Sequence, residues 1–258
     1  MDIVILGGLV VAFLSLILGF SIDGGSVTSL IHPTAALIIL GGTFGAVAVS
    51  FPGNVLKKFP KVIKIAFQKR ESNIAKNILY FKEISTKTRK EGLLSIEAEV
   101  SESNVDPFIK QGLQFVVDGI EQSTVESIMK TKLEQMVERH EDGMEIFSAA
   151  GGYAPTMGII GTVMGLVLVV GNLSDPTLLG PKIASAFMAT LYGIATANII
   201  WLPIANKLKM LNKQEVIEKE MIIEAILLIQ QGVNPNTLVN KLEGFLEDGN
   251  ENLLRDDK

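Results

Sequence analysis

Residues 158–166 read GIIGTVMGL, one hydroxyl, Thr162, set among three glycines. They lie inside an uncharged run, 146–174, and a second hydroxyl, Thr190, stands in FMATLYG within another, 183–206. In apolar surroundings a threonine can bond the carbonyl four residues back in its own helix. It can also offer oxygen to a passing cation, but it cannot carry a proton near neutral pH. Ion pathways inside a membrane normally hold an ionisable group, and these runs contain no Asp, Glu, Lys or Arg. If the chain helps to conduct ions, the titrating carboxylate must come from another polypeptide, with Thr162 and Thr190 lining its surroundings.

Other chemistry is thinly represented. His32 and His140 each stand alone, and a solitary histidine is expected to be a surface or core residue. Cysteine is absent, so neither a disulfide framework nor a thiol site exists. No phosphate-binding loop, zinc-binding His pair or metal-spaced cluster occurs. The expectation is a protein that is not an enzyme and holds no metal or cofactor. Net charge is −5 and no basic patch is read as a nucleic-acid site, so nucleic acid is not an expected partner.

The elements that must position the threonines follow from hydropathy. The 258 residues are 48% hydrophobic, and mean hydropathy is +0.37. Four uncharged runs, 3–22, 24–56 (broken only by His32), 146–174 and 183–206, each supply the ~20 apolar residues a bilayer-crossing helix needs. The first lacks the positive flank of a signal peptide and reads as a retained helix. Of the 23 Lys and Arg, 15 lie between residues 57 and 139 and seven follow the fourth run. Positive charge marks the cytoplasmic side, so both termini and the long middle segment are expected there. The stretch KKFPKVIKIAFQKR, 57–70, reads as a topology anchor against anionic headgroups. Small residues at 158, 161 and 165, and at 189, 193 and 197, suit close packing of helix backbones.

The resulting fold class is an all-α membrane protein. Residues 1–56 carry helices one and two, 57–145 a helical cytoplasmic insert, 146–206 helices three and four, and 207–258 cytoplasmic C-terminal helices. In the insert, Ile74, Ile78, Phe81 and Ile84 fall at helical spacing. Gly92 reads as a helix stop, Asp106-Pro107 as a helix start, and Ser123 with Glu126 as a capping box opening a helix that runs unbroken into the third span. The fourth span is expected to continue to a stop near Gly232, with one short amphipathic helix after it.

The stretch from APTMGIIGTVMGLVL to WLPIANKL, 154–208, resembles the MotA/PomA family of flagellar stator subunits. The N-terminal MDIVILGGLVVAFLSLILGFSIDGG and ILGGTFGAVAVSFP fit the same family, so the resemblance covers nearly the whole chain. It implies a multi-pass protein of the bacterial inner membrane whose copies, five by family pattern, ring the single helices of a MotB-like partner. That partner would carry the ion-binding aspartate and a peptidoglycan anchor, and ion flux would drive the ring against the rotor protein FliG. By motif, Thr162 and Thr190 match threonines on the ion route. Pro155 in YAPTMG and Pro203 in WLPIAN match prolines of conformational coupling. In KTRKEGLLSIEAE, Arg89 and Glu97 match charged rotor-contact positions, with Lys90 and Glu99 as secondary candidates. The expected ion is the proton, with sodium the alternative. Two other classes remain: an energy-coupling subunit of ExbB/TolQ type, and a non-conducting membrane scaffold.

Overall fold

The computed structural model describes residues 2–69, 72–97 and 105–246. These residues form helices and no strand. Four of the helices are long and apolar enough to cross a membrane: α1 (Ile3–Ile22), α2 (Val27–Ser50), α6 (Gln122–Val170) and α7 (Pro176–Gln230). Between them lie α3 (Phe59–Ala66), α4 (Ile74–Glu91) and α5 (Pro107–Val117), and α8 (Pro235–Leu242) follows. The chain divides into two compact units, 1–69 with 140–210 and 70–139 with 211–258.

The first unit holds the spans. None of the 20 residues of α1 is buried, as suits a helix whose solvent is hydrocarbon. Helix α2 opens with a 3₁₀ turn, Val27–Leu30, restarts at Pro33 and includes a π turn over Leu37–Gly41. A second π turn, Ala197–Trp201, interrupts α7. The core combines small residues, among them Ala35, Ala150, Ala154, Ala189 and Ala197, with larger ones such as Ile39, Ile146, Phe147 and Trp201, and includes a cluster of rings. There Phe59 of α3 stacks on Phe147 at 5.1 Å, and Phe44 meets Trp201 edge-on at 5.7 Å.

The second unit has an ordinary aliphatic core. The helical spacing in α4 is borne out: Ile74, Ile78, Phe81 and Ile84 are all buried, together with Leu113, Met129, Met221, Ile222 and Ile226. Gly92 ends α4 at φ 87°. Asp106 caps α5, its Oδ1 accepting the Phe108 N–H at 2.7 Å, with Pro107 at the first helical position. Helix α6 runs 49 residues without interruption, through Pro155. It begins one residue before Ser123, however, and the capping box does not form. Instead the Ser123 hydroxyl donates to Glu121 Oε1 at 2.8 Å, and Glu126 accepts from Lys130. The backbone N–H groups of Thr124 and Val125 already bond the Glu121 carbonyl. Starting the helix at Gln122 gives backbone partners to Thr124 and Val125, donors at the point where a Ser123 cap would have acted.

Candidate functional site

Three glycines of α6 account for the position of Thr162. A methyl at Gly161 would stand 2.5 Å from the Ala189 Cβ, and one at Gly165 2.4 Å from the Ala186 Cβ. A methyl at Gly158 would meet the Thr190 Cα at 3.1 Å, and from the facing helix one at Gly193 would meet the Ala154 carbonyl oxygen at 2.5 Å. A side chain at Gly161, Gly165 or Gly193 would force the helices to shift, one at Gly158 would be tight, and the two backbones meet there through small residues.

That approach brings Thr162 and Thr190 together. Their hydroxyls share a hydrogen bond. Thr162 Oγ1 also lies 3.1 Å from both the Gly158 and Ala186 carbonyl oxygens, and Thr190 Oγ1 lies 3.3 Å from Gly158 O. Two hydroxyl hydrogens thus face four oxygens, so lone pairs outnumber protons at this point of the span. Such a cluster can solvate a cation or hydrogen-bond a carboxylic acid brought beside it, but it cannot itself titrate. The hydroxyl of Thr162 also uses its own i−4 carbonyl, as an isolated threonine would, so the local bond and the bond between helices coexist.

The prolines sit apart from the threonines. Pro155 lies inside α6, seven residues before Thr162, and the helix continues through it with one backbone donor missing. Pro203 is the second residue after the π turn Ala197–Trp201. The local widening to an i−5 bonding pattern lies where the proline cannot donate an i−4 bond. Arg89 and Lys90 occupy the last turn of α4, both exposed, where cations also suit the helix dipole. Glu97 is exposed at the end of the 3₁₀ turn Leu93–Ile96. Glu99 lies outside the described residues. No cluster of metal-ligand type occurs among the described residues.

Several fastenings have no signal in sequence. The Tyr192 hydroxyl donates to the Leu30 carbonyl and accepts the His32 N–H at 3.1 Å, fixing the start of α2 to α7 two residues beyond Thr190. The Ser50 and Tyr153 hydroxyls bond at 2.8 Å, two residues before Pro155. Asp2 joins three segments. Its Oδ1 accepts the Val4 N–H at 3.1 Å, its Oδ2 accepts from Lys207 Nζ at 2.9 Å, and its own N–H donates to the Phe67 carbonyl at 2.8 Å. The Lys207 bond holds the Asp2 carboxyl below the ordinary carboxylate range.

Comparison with known proteins bears on the fold and the family. Residues 6–92 match the family model described as Motility protein A N-terminal, and residues 100–221 that of the MotA/TolQ/ExbB proton channel family. Motility protein A of Bacillus subtilis (strain 168) is 39% identical over 247 residues, spanning 95% of this chain and 91% of the relative. A solved flagellar MotAB stator complex from Bacillus subtilis superposes with a TM-score of 0.90 at 38% identity, covering 98% of each chain. The MotAB structure from C. jejuni gives 0.92 at 30% identity, covering 97% of this chain and 98% of that one. Two family models that together span most of the chain, near full-length matches and four helices long and apolar enough to cross a membrane show that the chain belongs to the MotA family of flagellar motor stator subunits.

Proposed function

We propose that this chain is the wall of a cation channel and that a MotB-like, single-helix, peptidoglycan-anchored subunit supplies the ion-binding aspartate. The observation that carries the reading is the oxygen cluster of Thr162 and Thr190 within the runs 146–174 and 183–206, which contain no Asp, Glu, Lys or Arg. An aspartate presented beside it would find hydrogen-bond partners for its protonated form and lone pairs for a cation. The proton is the proposed ion, because one chain's oxygens are too few to replace the water shell of sodium. Copies of the chain, five by family pattern, ring the partner helices in the inner membrane. Both termini and the second unit lie in the cytoplasm.

Passage of one charge releases ~2.3 kcal/mol per 100 mV of membrane potential. Packing alternatives that differ by a few kcal/mol are within reach of that release. Pro155 and Pro203 mark where α6 and α7 lack a backbone bond, and they are the joints at which ion occupancy becomes helix movement. Arg89, Lys90, Glu97 and Glu99 deliver that movement to FliG. Each exposed pair contributes only ~0–1 kcal/mol, which suits a contact that forms and breaks repeatedly. An energy-coupling role of ExbB/TolQ type would leave this charged segment without a rotor to act on.

The test is a motility-null strain complemented with this chain and its partner, with sodium and pH varied separately. Swimming that persists without sodium and stops when a protonophore collapses the gradient is expected. Swimming that follows sodium at constant pH would reassign the ion. Absence of motility from a correctly inserted complex would remove the stator role.

A further inference from the structure

Leu94 is 71% exposed. Among the described residues it is the one large apolar side chain of the second unit that stands exposed; the others belong to the first unit, most of them to its long apolar helices. Its exposure is built in. The 3₁₀ turn Leu93–Ile96 has three residues per turn, so Leu93 and Ile96 share one side, and Ile96 is fully buried while Leu94 points away from it. Gly92 launches the turn at φ 87°, ψ 166°, a conformation essentially reserved for glycine. A leucine fixed outward between a glycine-only joint and a buried isoleucine is held ready for contact.

Its setting is charged, and the helix that precedes it carries a groove. The exposed Arg89 and Lys90 precede it by five and four residues. A groove of about 430 Å³ runs along α4, lined by Leu79, Lys82, Glu83, Thr86, Lys87, Lys90 and Glu91, the last of which precedes Leu94 by three residues in sequence. The exposed Glu91 and Glu97 stand three residues to either side, and an apolar side chain flanked by charges of both signs has the anatomy of an interface centre with a polar rim. The rim steers and sets register but is screened by salt, whereas apolar burial is not.

We propose that Leu94 is the apolar anchor of the rotor contact. It enters an apolar recess on the partner whose rim carries acidic side chains for Arg89 and Lys90 and basic ones for Glu91. This inference rests on the rotor reading above and adds to it a residue that carries no charge.

The test uses the full complex in motile cells. With Leu94 replaced by the photo-crosslinking residue p-benzoylphenylalanine, illumination should give an adduct with FliG, and the same residue at the exposed position of Asn240 should give none. Leu94→Asp should abolish, and Leu94→Ala reduce ~10-fold, the occupancy of motors by fluorescently tagged complex, while Leu94→Met retains it. Membrane levels of each variant are measured alongside, and Leu94→Ser stands in for Leu94→Asp if the latter fails to accumulate. Arg89→Glu separates the two readings. If Arg89→Glu lowers occupancy and the polar Leu94 variants do not, the rotor contact stands and the anchor is refuted. If neither does, both fall. An adduct only with a second copy of this chain would also overturn the anchor.

Discussion

Thr162 and Thr190 hydrogen-bond to each other across two helices that carry no carboxylate at that depth. The pair forms because Gly161 faces Ala189 and Gly165 faces Ala186, so glycine content and hydroxyl placement belong to one arrangement. The glycines are packing residues, and what they pack into place is a patch of oxygen.

Thr162→Val replaces the hydroxyl by a methyl of similar shape. The hydroxyl's net contribution to stability is about 1 kcal/mol, so folding should survive. Swimming speed and proton flux through the partnered complex should fall at least several-fold, while Thr162→Ser keeps most of both. Wild-type speed for Thr162→Val across pH and sodium would reduce the residue to packing.

Gly165→Ala puts a methyl 2.4 Å from another methyl in a helix contact, and overpacking of this kind costs roughly 1–3 kcal/mol. The thermal midpoint of the solubilised complex should drop and motility should be lost. Gly152→Ala is the matched control, because Gly152 is exposed on the same helix with nothing within 4 Å of the added methyl. It should be neutral, or stabilising by up to about 1 kcal/mol through helix propensity.

Asp2 and Lys207 lie 205 residues apart in sequence and 2.9 Å apart in space, four residues beyond Pro203. Asp2→Asn keeps an oxygen for the Val4 N–H but discards the charge, so it isolates the ion pair from the helix cap. Both Asp2→Asn and Lys207→Met should reduce torque, and the double variant should be no worse than either single one. Additive losses would show that the two residues act independently. Since the folded carboxyl titrates below its ordinary value, the pair's stabilisation is present above the unfolded pKa and is lost as pH falls through the folded one.

In the second unit, Lys219 is nearly buried, bonds Asp106 Oδ2 at 2.8 Å and sits 5.0 Å from the Phe108 ring centroid. Burial pushes the Asp106 carboxyl up, but the bonds from Lys219 and the Phe108 N–H bring it below the usual range. Stability from this pair is therefore complete above the unfolded carboxylate pKa and declines as pH falls through the folded value. Lys219→Met should cost about 1–2 kcal/mol at neutral pH and flatten the acid limb of a thermal melt. An unchanged acid limb would show that the pair is silent.

The four spans were legible because crossing hydrocarbon demands uncharged length, which composition displays directly. The core face of α4 was legible from the spacing of Ile74, Ile78, Phe81 and Ile84, and the ends at Gly92 and Asp106 from backbone chemistry. The Thr162–Thr190 bond was half legible: the small residues announced a close contact, but not which residues meet. Nothing in sequence pointed to Tyr192 holding Leu30 or to Asp2 holding Lys207, since such contacts depend on tertiary placement of distant segments. The π turns at 37–41 and 197–201 were equally silent, because a single widened turn uses the same residues as an ordinary one. The capping box at Ser123 was misread because helix propensity does not decide between two adjacent starts when backbone carbonyls can serve both.

The central claim is that this chain walls an ion path whose titrating acid belongs to a partner. Ion flux into liposomes under a proton gradient tests it directly, with the purified chain alone, the chain with its partner, and the partnered complex carrying Thr162→Val. The account predicts no flux from the chain alone, flux from the complex, and strongly reduced flux from the variant complex. Sustained flux from the isolated chain would contradict it.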